Sequence, residues 1–316
     1  SISEPIGFTF SDTDRYTMIV HPKPTLVVIL FSLKGSIAKR IALRSLMVTA
    51  LASLIVLIEV LYPASFSRVN ATPFTLLGIS LSIFMSFRNS ACYGRWWEGR
   101  QAWGKVIIEI RSFARASVAI QDNVQREAIL RALCGYAHAL NARLRGENEL
   151  QAAGKWLPAI PGLLGSNISD GILRHISQQC SALADNRSIS EWRYVTLEKS
   201  LHGLSDAQGV CERIKGTPLP FPYTLLLHRT IYIFCLLLPF AMAEPLGWLA
   251  PLFTTIVSYT FFGLDAIGDE LEDPFGRDEN DLPTDAMVRT IERDLLDSLG
   301  YTALPPPLAP REFVLH

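Results

Sequence analysis

The side chains best equipped for chemistry lie in one acidic run near the end of the chain. Asp265, Asp269, Glu270, Glu272 and Asp273 precede Pro274-Phe275-Gly276, and Asp278, Glu279 and Asp281 follow it. Of these, Glu270, Asp273, Asp278 and Asp281 could offer hard oxygen ligands to a cation. Arg277 and Asn280 interrupt the run, and an arginine competes with a cation for the same carboxylates. An arginine-paired, solvated acidic loop is therefore the reading that electrostatics favours, with no cofactor required. Catalytic patterns are lacking elsewhere. The six histidines (His21, His138, His175, His202, His228 and His316) form neither HExxH nor a Ser-His-Asp arrangement, so an enzyme is not expected. The five cysteines are scattered without a CxxC pair and read as reduced, mostly buried thiols.

The elements that must position these groups are set by an uneven distribution of charge. Only 19% of the 316 residues are charged, against about 25% in an ordinary soluble domain. Charges are sparse near residues 45–87 and 222–264 and frequent between 95 and 215, which predicts two membrane hairpins around a water-exposed middle. The net charge of −1 and the lack of a basic face leave no nucleic-acid partner to argue for. Residues 1–24 read as a polar N-terminal arm without a targeting pattern, and Thr25–Leu33 is too short to span hydrocarbon. Ile41–Tyr62 is long enough to cross, and Pro63–Thr72 is a short loop holding Arg68. Pro222–Ala243 and Gly247–Leu264 form the second hairpin, with His228 expected to be paired inside the bundle or interfacial.

Between the hairpins the pattern is helical. Asp122 is placed to cap a helix through Leu140, and Ser169 or Asp170 opens another. Pro158–Gly165 reads as a loop, and Ser188-Ile189-Ser190-Glu191 is a capping-box pattern. A further helix over Thr284–Leu299 precedes an extended proline-rich stretch, Leu304–Pro310. The asymmetry of basic residues places both ends of the chain and residue 95 onward in the cytoplasm.

Pro73–Trp97 is the element of most interest. Ile79, Ile83 and Phe87 recur every four residues and form one bulky apolar stripe on a helix, with Ser82, Ser86 and Ser90 as a small stripe beside it. A small flank permits close approach by a neighbour. Arg95-Trp96-Trp97 has the composition of a membrane–water boundary. Periodicity alone leaves the stripe as an ordinary lipid-facing or core surface.

Four separated stretches, in order, resemble the bestrophin family of ion channels. They are Lys34-Gly35-Ser36-Ile37 and the Ile79/Ile83/Phe87 helix with Arg95-Trp96-Trp97; then Pro222 in Pro-Phe-Pro-Tyr and Asp273-Pro274-Phe275-Gly276 with the acids after it. Ile291–Leu295 resembles the helix that follows. The resemblance implies an all-α homopentamer, with four transmembrane helices per protomer and a helical cytoplasmic region around a central pore. Its parts would be an arm (1–40), a first hairpin (41–97), cytoplasmic helices (98–221), a second hairpin (222–266) and a cytoplasmic acidic loop, helix and tail (267–316). Ile79, Ile83 and Phe87 would ring the pore neck, and rough alignment upstream of Pro222 puts a cytoplasmic aperture at Thr196–Leu197, with Leu197 chosen. The partners implied are other copies of the chain, the lipid bilayer and monovalent ions. In animal members the acidic run binds calcium, whereas here its interruption points away from calcium gating. The prokaryotic branch is associated with monovalent cations, so sodium is expected to pass, with chloride as the alternative. A secondary transporter fits less well, because no internal repeat is visible. The expected location is the bacterial inner (cell) membrane.

Overall fold

The structure is a computed structural model that describes residues 18–19, 37–63, 65–66, 69–157, 165–309 and 314–315. The Lys34-Gly35-Ser36 stretch, the Thr25–Leu33 run, Arg68 and most of the Pro158–Gly165 loop lie outside these residues. Nine α-helices are described: α1 (Ala38–Leu61), α2 (Thr72–Ala116), α3 (Asn123–Leu144), α4 (Glu149–Ala153), α5 (Ile168–Asp185), α6 (Glu191–Gly216), α7 (Phe221–Leu246), α8 (Ala250–Glu272) and α9 (Thr284–Ser298). Among the described residues the fold is all-α apart from one two-residue pairing, in which Met18–Ile19 (β1) runs antiparallel to Val314–Leu315 (β2).

Two helix limits differ from the sequence expectation. α2 does not stop at Trp97 but continues unbroken to Ala116, 45 residues or about 68 Å at 1.5 Å per residue. The proposed break between a first hairpin and separate cytoplasmic helices therefore falls inside one helix. α8 likewise runs through Glu272, so the first acids of the run are helical and not loop. Local signals explain the other ends. Asp122 accepts hydrogen bonds from the Val124 and Gln125 amides, as its position predicts. Asn167, not Ser169 or Asp170, caps α5 by accepting from the Asp170 amide. Ser190 precedes α6 without making a side-chain cap. The turn between α7 and α8 depends on Gly247 at φ +49°, a left-handed conformation that costs glycine least.

Two cores result. In one, Trp103, Val106, Ile110 and Phe113 of α2 pack with Leu133, Tyr136 and Leu140 of α3, Ile172 and Ile176 of α5, Leu204 and Cys211 of α6, and Ile291 and Leu295 of α9. In the other, Ile41 and Val48 of α1, Leu81 and Met85 of α2, Ile231, Phe234 and Cys235 of α7, and Phe261 and Phe262 of α8 pack together. α8 is the hub of this second bundle and touches α1, α2 and α7. Ala38–Leu61 and the 221–272 stretch are long and apolar enough to cross a membrane. α2, with its serines and Arg88, joins the two cores.

Candidate functional site

The first half of α2 has three distinguishable flanks. Leu81, Met85, Arg88 and Cys92, spaced as i, i+4, i+7 and i+11, form the buried seam against α7 and α8. Ile79, Ile83 and Phe87 are 56%, 50% and 64% exposed, so the triad touches little within its own protomer. Ser82, Ser86 and Ser90 are exposed between them and border a groove of about 540 Å³ that also takes in Asn89, Tyr93 and Leu264.

Arg88 is the largest charged group at this level and is 0% exposed. Its Nη1 donates to the Asp265 carboxylate at 3.1 Å and its Nη2 to Asp269 at 2.5 Å, with Glu272 at 3.8 Å. His228 of α7 approaches the same acids, with Nδ1 2.8 Å from Asp265 and Nε2 3.5 Å from Asp269. His228 is thus paired inside the bundle, one of the two roles its sequence position suggests. Among the described residues, His228, Asp265 and Asp269 are the only three metal-competent groups gathered within one ligand sphere. Arg88 already engages an oxygen of each carboxylate, so the group is an ion-pair network. Sequence reading passed over Arg88. The signal was available, because a charge in an apolar helix requires a partner and Asp265, Asp269 and Glu272 fall on one face of α8.

Arg95-Trp96-Trp97 serves the protein interior more than a boundary. Arg95 donates from Nε to the Glu272 carbonyl at 3.1 Å and from its two Nη groups to the Thr217 and Ile214 carbonyls, each at 2.6 Å. It thereby satisfies carbonyls at the C-terminal ends of α6 and α8, a role that favours a cation. The Trp96 indole donates to the Asn280 carbonyl at 3.1 Å, and Trp97 alone of the three is half exposed without such a bond among the described residues.

Leu197 is 0% exposed inside the first core, so it has no surface to turn towards a lumen, and its assignment as an aperture side chain is corrected. On the first turns of α6 it is Trp192 and Val195 that stand out, with Thr196 also exposed.

The acidic loop is likewise rearranged relative to expectation. Arg277 turns away from the run and pairs with Glu147, with Asp285 at 4.0 Å. The candidate ligands are held separately. Glu270 accepts from Asn280 at 2.6 Å and faces Arg40 at 3.5 Å, while Asp273 accepts from Lys215 at 2.7 Å. Asp278 is exposed, whereas Asp281 is 2% exposed and accepts its own loop's Asp278 amide at 2.7 Å through one oxygen. Its other oxygen is buried without a hydrogen-bond partner. Burial, and then the nearby Asp278, Asp273 and Glu270 carboxylates, push the Asp281 carboxyl up to about 7 despite that amide. Phe275 is fully buried over Gly99 of α2, where a Cβ would come within 3.1 Å of the ring. The loop is thus a plug pinned to α2. Calcium takes six to eight oxygens in one shell, and Glu270, Asp273, Asp278 and Asp281 do not converge on one. As arranged, they do not fit that ion.

Comparison with known proteins bears on this geometry. The family model described as "Bacterial/Fungal Bestrophin protein" matches residues 18–297. A voltage-dependent anion channel-forming protein of Mesorhizobium japonicum is 38% identical over 302 residues, covering 95% of this chain and 97% of its own length. The voltage-dependent anion channel-forming protein YneE of Escherichia coli (strain K12) is 33% identical over 297 residues, covering 93% and 98%. The crystal structure of a bacterial bestrophin homolog from Klebsiella pneumoniae superposes with a TM-score of 0.79 at 35% identity, covering 83% of this chain and all of the other. The chain therefore belongs to the bacterial and fungal bestrophin family, whose members are integral membrane ion channels and not enzymes.

Proposed function

We propose that the protein is a homopentamer that conducts monovalent ions passively along its symmetry axis, with α1, the first half of α2, α7 and α8 crossing the bacterial inner membrane. One observation carries this reading: on α2 the bulky flank of Ile79, Ile83 and Phe87 stands free of its own protomer while the opposite seam is buried. A single protomer cannot enclose a path lined by one helix, whereas a ring of copies can. The serine flank and its groove give a neighbouring α2 room for close approach, which turns the bulky flank towards the axis. Five copies of the triad then form a dry constriction that gates by dewetting. Below it, a second constriction formed by α6 falls to Val195, the exposed aliphatic residue beside buried Leu197. The pairing of residues 18–19 with 314–315 supports a shared cytoplasmic side for the two ends.

An apolar neck does not select charge, so the sign of the ion is set at the entrances. Sodium is the ion proposed here; the anion-channel names borne by the relatives favour the second reading, chloride. Purified protein in a planar bilayer under a NaCl gradient decides between them. A reversal potential near the sodium equilibrium value is expected, one near the chloride value selects the alternative, and no current sinks the channel reading for this chain. Chemical cross-linking in detergent is expected to give a ladder of five rungs.

A further inference from the structure

Arg88 directly follows Phe87, and one residue of α-helix turns by about 100°, so the direction of Arg88 fixes the direction of Phe87 and, through the helix, of Ile83 and Ile79. Around Arg88 the contact is a fork between α2 and α8. Nη1 holds Asp265, through its carboxylate at 3.1 Å and its carbonyl at 3.3 Å, and Nη2 holds Asp269. Asn89, the next residue, donates to the Leu264 carbonyl at 3.0 Å. Both side chains lie over Gly268, where an added Cβ would stand 2.8 Å from Arg88 Nη1 and 2.7 Å from Asn89 Oδ1. The missing side chain at position 268 is what lets the guanidinium reach both acids. From the far side, His228 of α7 braces Asp265. Apart from the Tyr223 hydroxyl of α7, which donates to the Phe84 carbonyl at 3.3 Å, the remaining contacts of α2 at neck depth among the described residues are apolar: Leu81 and Met85 in the seam, and Phe234 against Gly78. Such contacts resist separation but set rotation weakly, whereas a two-pronged arginine bond accepts one geometry.

We propose that Arg88, seated over Gly268 and forked to Asp265 and Asp269, is the positioning residue that sets the rotation of α2 and so directs Ile79, Ile83 and Phe87 into the pore. This rests on the neck reading above. Lysine keeps the charge but replaces the rigid planar fork with a flexible single ammonium, and Gly268→Ala keeps every charge while displacing the fork. Two reporters, Ile83→Cys and Ser86→Cys, read the rotation as the ratio of their modification rates by a membrane-impermeant cationic methanethiosulfonate in full-length protein reconstituted into liposomes. All five native cysteines are buried, so background labelling is low.

In the otherwise native protein, the thiol at 83 is expected to react faster than that at 86, and its modification to block flux. Arg88→Lys and Gly268→Ala are each expected to lower the 83-to-86 ratio about tenfold, as α2 loses its two-pronged anchor nearest the triad. A ratio unchanged in both variants overturns the role of Arg88 and leaves the neck standing. A thiol at 83 that is inert in the native background overturns the neck reading itself. Should Arg88→Lys fail to assemble, Gly268→Ala decides alone.

Discussion

The two halves of the molecule present opposite things to their surroundings. In the half built around Trp103, that residue, Phe113 and Tyr136 are enclosed, and charged pairs such as Lys105–Asp206 and Arg111–Asp294 lie on the outside. In the membrane half, Arg88 and Asp265 are enclosed, while Leu43, Leu54, Leu237, Phe253 and Ile256 stand on the surface. One solvent rule gives both patterns. Water drives apolar area inward, but lipid offers apolar groups no such penalty and offers charges no hydration. The first half is therefore held by a hydrophobic core, and the second by shape and by paired polar groups. An exposed leucine has no single meaning in this chain; its depth along the helix axis decides.

That contrast can be broken experimentally, and the largest effect belongs to the water-facing half. Trp103→Ala is expected to cost about 3–5 kcal/mol, as a fully buried indole leaves a cavity, and thermal unfolding in detergent measures it. A cost below about 1 kcal/mol would mean that this core does not behave as one formed in water. Leu197→Ala is expected to cost about 2–5 kcal/mol for the same reason, with unitary conductance preserved in the folded fraction. Val195→Ala should do the reverse, changing conductance at little cost in stability.

Next in size is a pH effect. The folded value for Asp281 lies above the ordinary 3.8, so the native protein keeps a proton that the unfolded chain has released. Stability therefore falls as pH rises from about 4 to about 7, with the full cost present above that range. Asp281→Asn is expected to remove a contribution on the order of 3 kcal/mol to this slope. Unfolding midpoints at pH 5 and pH 8 test it, and parallel slopes for the two proteins would refute it. The smallest effect on stability belongs to the proposed neck. Ile83→Ala and Phe87→Ala should each shift stability by less than about 1 kcal/mol while raising conductance, since each side chain is at least half exposed in its protomer.

Much of this was legible in the sequence because helical period and charge density are local quantities. The Asp122 cap, the two long apolar stretches at Ala38–Leu61 and 221–272 and the Thr284 helix all follow from them. The end of α2 was hidden because Arg95-Trp96-Trp97 has the composition of a boundary, although two of its members bond to protein carbonyls. Leu197 was misplaced because alignment by loop length carries no rotational phase. The phase was present all the same: Leu197, Leu201, Leu204, Cys211 and Ile214 mark a buried stripe at spacings of three, four and seven. The separation of the acids from Arg277 was not legible, since it depends on Glu147, 130 residues away.

α2 passes from Thr72 to Ala116 with no proline after its first turn and no interruption of its helical bonding. Such a rod transmits torque as a drive shaft does, without a joint at which motion could be absorbed. A ligand or partner that nudges the helices around Trp103 would be turning the same shaft that bears Phe87, so the first core and the proposed neck answer to one movement.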